Sequence, residues 1–220
     1  MNARMDELVD AAERRWLELW VEGPQQTGWN HPPVTVGSPA PDFTLPDETG
    51  ADVSLSSLWE DRPALIVFWR QFGCGCGVDR AARFVEEYSD YVAGANVVVV
   101  GQGEPERAAA YKEEYKIPCS ILSDVGERAY RAYGLRDATV EQVLFDAPEE
   151  FWPHGKEIGE SFIADRRKMG RRLVDNPWLL PGEFVIDTSG TIVLDYRWQY
   201  CEDFPDPRVL TTAIKLAGAG

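Results

Sequence analysis

No stretch of this 220-residue chain stays apolar for the roughly 20 residues needed to cross a bilayer. The first residues, Met1-Asn2-Ala3-Arg4-Met5-Asp6-Glu7, lack the apolar core of an export signal, so the cytoplasm is the expected location. Basic residues are also scarce: 22 Lys and Arg stand against 37 Asp and Glu, giving a formal net charge of -15 and a pI near 4.5. Nucleic acid and anionic membrane surfaces are repelled by that charge and are excluded as main partners. Four cysteines are too few for a disulfide scaffold in a chain of this size. In a reducing compartment they are thiols, a redox couple or metal ligands. There are only two histidines, and His31, followed by Pro32 and Pro33, reads as a surface residue. The length allows a full core, organised as one domain with an added segment.

Against this background one stretch stands out, Phe68-Trp69-Arg70-Gln71-Phe72-Gly73-Cys74-Gly75-Cys76-Gly77-Val78-Asp79-Arg80. The apolar run Ala64 to Trp69 predicts a buried strand. After the glycine-rich turn, Val78, Ala81, Ala82, Val85, Tyr88 and Val92 recur at helical spacing. The cysteines therefore fall where a strand ends and a helix begins. Unpaired N–H groups and the positive end of the helix dipole favour a thiolate there over the thiol. The glycines are expected to leave the sulfurs uncovered. Arg70 is a candidate for lowering the thiol pKa further, with a solvated arginine at the strand end as the alternative.

Taken in order, the chain opens with an amphipathic helix from Met5 to the Gly23-Pro24 stop, followed by an extended connector to Pro41. The segments 41–46 and 51–55 flank a turn at Asp47-Glu48-Thr49-Gly50 and predict a hairpin. A short helical turn follows at Ser56-Ser57-Leu58. Ala95 to Gly101 predicts a second buried strand, Pro105 to Lys116 a helix and Ile117 to Asp124 a third strand. A helix through Ala129 and Tyr133 stops at Gly134, and a last helix follows Pro207.

Val36-Gly37-Ser38-Pro39-Ala40-Pro41-Asp42-Phe43-Thr44-Leu45, a Gly-x-x-Val-x-Leu hairpin, a short helix and a strand ending in cysteines together resemble the opening of the peroxiredoxin-like (alkyl hydroperoxide reductase/thiol-specific antioxidant) redoxins of the thioredoxin-fold superfamily. Downstream, the strand ending in Ser123-Asp124 and the hairpin from Pro181 through Ile192 continue the likeness. The resemblance implies an α/β protein with a thioredoxin-like fold: a central mixed β-sheet flanked by helices, with an N-terminal helix and an insertion before the last β-hairpin. Residues 1–35 then form a helical extension and connector, and 36–220 the redoxin domain with its insertion at about 136–180. That insertion carries Phe145, Phe151, Trp152, Phe162, Trp178 and the basic residues Arg166, Arg167, Lys168, Arg171 and Arg172. It reads as a folded cover over part of the active-site face, or equally as extra core or a homodimer contact.

The resemblance also implies chemistry, with departures. Thioredoxin-type pairs are separated by two residues, whereas Cys74 and Cys76 are separated by one. A disulfide across a single residue closes a small strained ring and is expected to be readily reduced. Neither cysteine follows a threonine by three residues, and Pro181 occupies the position where the peroxiredoxin arginine precedes its Phe-Val-Ile-Asp strand. Pro181 instead resembles the cis-proline that faces the cysteine pair in thioredoxin relatives. The expected function is thiol-disulfide oxidoreduction of a small-molecule or protein substrate, with Cys74 attacking, Cys76 resolving, and no cofactor or resident metal. Thiol peroxidase activity is the alternative. Cys119 reads as a buried small residue, and Cys201, between Tyr200 and Glu202, as a possible second resolving cysteine whose pKa acidic neighbours raise. A third reading is a non-catalytic module binding a partner or a soft ion, the ion held by Cys74 and Cys76 with His154 or Cys201.

Overall fold

The computed structural model describes residues 3–219. Its centre is a five-stranded sheet in the order β5-β4-β3-β6-β7. The strands are β3 (Ala64–Phe68), β4 (Asn96–Gly101), β5 (Ile121–Ser123), β6 (Gly182–Ile186) and β7 (Ile192–Arg197). β3 runs parallel to β4 and antiparallel to β6, so the strand leading into the cysteines lies in the middle of the sheet. This is the mixed sheet of the thioredoxin-like fold. The hairpin of β1 (Thr44–Pro46) and β2 (Asp52–Ser54) forms a separate two-stranded sheet.

A strand turns successive side chains to opposite faces, and β3 is buried along its whole length, so it feeds two cores at once. Leu65 and Val67 pack with Ala81 and Phe84 of α2 (Gly75–Val92), Tyr111 of α3 (Pro105–Tyr115) and Leu210 of the helix Pro207–Ala217. Ala64, Ile66 and Phe68 face the other way, onto Tyr130 and Tyr133 at α4 (Arg128–Ala132). The Tyr130 hydroxyl donates to the carbonyls of Trp69 and Val100, tying the sheet end above the cysteine loop to that second core.

A third core joins the two ends of the sequence reading, the N-terminal helix and the insertion. α1 (Ala3–Glu22) buries Trp16 and Trp20, and Trp20 stacks between Trp16 at 5.0 Å and Trp178 at 5.4 Å. The Trp178 indole donates to the Leu19 carbonyl at 2.7 Å. Rings of this size bury ~150–250 Å² each, worth several kcal/mol apiece at ~25 cal/mol per Å². Within the insertion, α5 (Val140–Leu144) starts at Thr139 with a capping box closed by Gln142. The next long helix, α6 (Lys156–Lys168), packs on α1 at Gly159, where a Cβ would come within 2.7 Å of Leu17 and Trp20. From Arg171 the chain runs without regular secondary structure, with a left-handed Asp175 (φ 63°), to β6, and α7 (Pro207–Ala217) closes the fold. Among the described residues no helix is long and apolar enough to cross a membrane.

Candidate active site

Cys74 is the N-cap of α2 and Cys76 lies in its first turn, the two sulfurs at disulfide distance with 5.4 Å between their Cα atoms. The loop before them is held from three directions. The Cys74 N–H donates to the Gln71 carbonyl, the Tyr111 hydroxyl donates to the Gly77 carbonyl, and the Trp69 indole donates to Tyr111. Phe72 stacks on Tyr111 at 4.5 Å. These contacts fix the direction in which β3 hands the chain to α2, and so the direction of both sulfurs.

Arg70 is buried and turned inward, not solvated at the strand end. One of its guanidinium nitrogens donates to Cys74 Sγ at 2.6 Å and lies 3.5 Å from Cys76 Sγ; the other donates to the Pro177 carbonyl at 2.6 Å. The pair thus has a fixed cation directed at both sulfurs as well as the N-terminus of α2.

The expectation of uncovered sulfurs is corrected. Cys74 is 9% and Cys76 6% exposed, because residues 166–177 lie across the loop. Arg166 donates to the Gly73 carbonyl at 2.7 Å and Arg171 to the Cys74 carbonyl at 3.1 Å. The approach is so close that a Cβ on Gly73 would stand 2.1 Å from the Arg172 carbonyl oxygen. The glycine therefore serves cover as well as turn, and its flexibility does not expose the cysteines.

Cys76 shares a small cavity of about 10 Å³ with Pro181, Arg80, Trp198 and Glu183. Its volume is about that of one water site. Glu183 is fully buried, accepting from the Trp198 indole at 2.9 Å and facing Arg80 at 3.4 Å. Burial outweighs these partners and pushes its carboxyl up to about 7. Sequence reasoning missed Glu183, though an acid directly before the apolar run Phe184-Val185-Ile186 was a visible signal.

Pro181 lines the cavity, but the expected cis peptide is absent: the described residues contain no cis bond. The physical reason is pairing. The Leu180 N–H donates to the Arg136 carbonyl and the Pro181 carbonyl accepts from Trp198, so the chain enters β6 already extended.

Cys201 is a buried free thiol, and burial, more than its acidic neighbour Glu202, raises its pKa; Arg70 opposes the rise, which puts Cys201 within that cation's field. Cys119 is a core residue whose thiol burial pushes up to about 12. His154 packs edge-on against Trp20 and Trp178. Among the described residues no group of three or more His, Cys, Asp or Glu is arranged to hold a metal ion.

The AhpC/TSA family profile matches residues 36–194. Peroxiredoxin Q, chloroplastic, from Sedum lineare is 33% identical over 103 residues, 46% of this chain and 55% of that protein. The chain thus matches about half the length of that curated relative. Among solved structures, a peroxiredoxin-like protein from Aquifex aeolicus superposes with a TM-score of 0.59 at 15% identity, covering 88% of this chain and 92% of the other. Peroxidoxin BcpB from Mycobacterium tuberculosis gives 0.57 at 17% identity, covering 83% and 97%. At those identities the superpositions speak for the fold alone. With the profile spanning from the first hairpin to β7, the chain belongs to the AhpC/TSA family.

Proposed function

We propose that the protein is a thiol-disulfide oxidoreductase working through Cys74 and Cys76. The observation that carries this reading is the pair itself, two sulfurs at disulfide distance on the first turn of α2 with Arg70 directed at both. In the reductive direction the Cys74 thiolate attacks one sulfur of a substrate disulfide. The substrate S–S bond breaks, one half leaves as a thiolate, and the other stays on Cys74 as a mixed disulfide. Cys76 gives its proton to the Glu183 carboxylate, directly or through one water, and attacks the Cys74 sulfur. The second half of the substrate leaves and the Cys74–Cys76 bond closes, so two electrons pass from the dithiol to the substrate. Cys74 keeps slightly more surface than Cys76, which suits it to the first attack.

Hydroperoxide reduction is the second reading, favoured by membership of the AhpC/TSA family. Here the Cys74 thiolate takes the terminal peroxide oxygen as a sulfenic acid, the alcohol or water leaves with a proton, and Cys76 condenses with the sulfenic acid to release water. Against it stand Gln71 and Gly73, where a threonine three residues before Cys74 or Cys76 would sit. Mass spectrometry of the reduced Cys76→Ser protein after oxidised glutathione, and separately after hydrogen peroxide, tests both. A mixed disulfide on Cys74 is the expected product. A sulfenic acid without a mixed disulfide would transfer the role to peroxide reduction, and inertness to both reagents would leave the partner- or soft-metal-binding module.

A further inference from the structure

Five basic side chains of the insertion fall near the cysteine loop of an otherwise acidic chain, and their charges are not treated alike. Arg167 and Arg172 both pair with Glu13, Arg172 also with Asp10, and Lys168 pairs with Asp165. Arg107, on the same side, is held by Asp175 and Glu104. Arg166 and Arg171 have no carboxylate among the described residues; each makes one hydrogen bond, to the main-chain carbonyls of Gly73 and Cys74. Each guanidinium has five N–H donors, so most are left over, and the Arg166 Nε–H is buried without a partner. The two cations also repel each other: burial and Arg171 together lower the Arg166 pKa.

Two half-buried like charges held side by side cost free energy unless a third charge compensates them. Directly beside them is a cleft of about 180 Å³ between α1, α3 and residues 170–174. Arg171 lines it, Gly73 forms part of its wall, and Phe72, Tyr111 and Tyr115 stack in series along one side at 4.5 Å spacing. Glu114 is the one carboxylate among the lining residues, and it faces the Tyr115 phenol, whose pKa burial raises first and Glu114 second. The cleft thus offers an apolar aromatic side, the Arg171 guanidinium, and a position one peptide away from Cys74, at Gly73, whose carbonyl Arg166 holds.

We propose that this cleft is an anion subsite in which Arg171 binds the carboxylate of a small organic disulfide or thiol, with Arg166 adding positive charge from the adjoining Gly73 carbonyl and the ligand's apolar part seated on Phe72 and Tyr111. The inference rests on the oxidoreductase reading and names its substrate class: carboxylate-bearing, low-molecular-weight sulfur compounds in place of neutral or cationic ones. Arginine suits the task, since its planar fork matches a carboxylate and stays charged at every physiological pH.

The test compares three symmetrical disulfides that differ in charge: dithiodipropionate, bis(2-hydroxyethyl) disulfide and cystamine. Each rate with the reduced wild-type protein is divided by the rate with a free small thiol, which removes intrinsic reactivity. We expect dithiodipropionate to be favoured over the neutral disulfide by about tenfold, the effect of one or two charge-assisted hydrogen bonds, and cystamine to be disfavoured. The preference should shrink with added salt and in Arg166→Gln and Arg171→Gln. Because those substitutions also remove contacts to the loop, the ligand series on the wild-type protein decides the matter without them. Binding is measured separately by calorimetry with dithiodipropionate and the Cys74→Ser/Cys76→Ser protein, which cannot exchange. Saturable, salt-sensitive binding there supports the subsite even if no disulfide is reduced, an outcome that would instead remove the oxidoreductase reading. Equal normalised rates for all three disulfides, or no binding to the serine protein, would overturn the subsite.

Discussion

Glu183 sits in the sheet opposite Val67 of β3 and Tyr196 of β7, fully buried, with Arg80, Trp198, Tyr91 and Asp203 as its polar and charged surroundings. Its folded pKa is raised from 4.5 to about 7, so ionisation is harder in the native state than in the unfolded chain. The sign follows: below about 4.5 the carboxyl is neutral in both states and costs nothing, and as pH rises through about 7 the cost is incurred in full. Relative to Glu183→Gln, which keeps an acceptor for Trp198, the wild type should lose roughly 3 kcal/mol of stability across that window. Urea unfolding of both proteins at pH 4.5, 6 and 8 checks it, and a constant difference would count against a raised pKa. In exchange kinetics the same variant should slow resolution of the mixed disulfide by about 10²-fold at neutral pH, the lower end for a lost general base. Stopped-flow release of the second thiol reads that step apart from the first attack.

At the scale of elements, the junction of β3, the cysteine loop and residues 166–177 sets how the sulfurs meet solvent. Arg70, Arg166 and Arg171 all spend hydrogen bonds on main-chain carbonyls across this junction, at Pro177, Gly73 and Cys74. Gly73→Ala puts a Cβ against the Arg172 carbonyl, a backbone atom that cannot rotate away. The expected result is a loss of about 1–3 kcal/mol from overpacking. The covering segment should be displaced with it, and Cys74 of the reduced protein should alkylate several-fold faster. Iodoacetamide rates with unchanged far-ultraviolet circular dichroism measure this. An unaltered rate would mean that the segment does not limit access.

At the scale of the whole molecule, α1 and the insertion share the tryptophan core, so a change far from the loop should reach the site. Trp20→Ala removes the ring between Trp16 and Trp178 and should cost about 3–5 kcal/mol. It should loosen the covering segment, seen as faster hydrogen exchange over 166–178 while β3 and β4 stay protected. Exchange confined to α1 would show that the two are not coupled. The sequence by itself determined the strands β3 and β4, the helices α1, α2, α3 and α7 and the start of a helix at the cysteines, because hydrophobic spacing and glycine punctuation are local signals; it did not determine α6 within the insertion. The AhpC/TSA likeness was legible for the same reason, in short runs such as Val36 to Leu45 and Pro181 to Ile192. Only the tertiary structure decided which way Arg70 points, since its carbonyl partner Pro177 lies 107 residues away, and that Glu183 faces Arg80, 103 residues away. The same holds for the cover over the sulfurs and for the trans peptide at Pro181. Each is set by packing between segments remote in the chain, which local spacing does not encode.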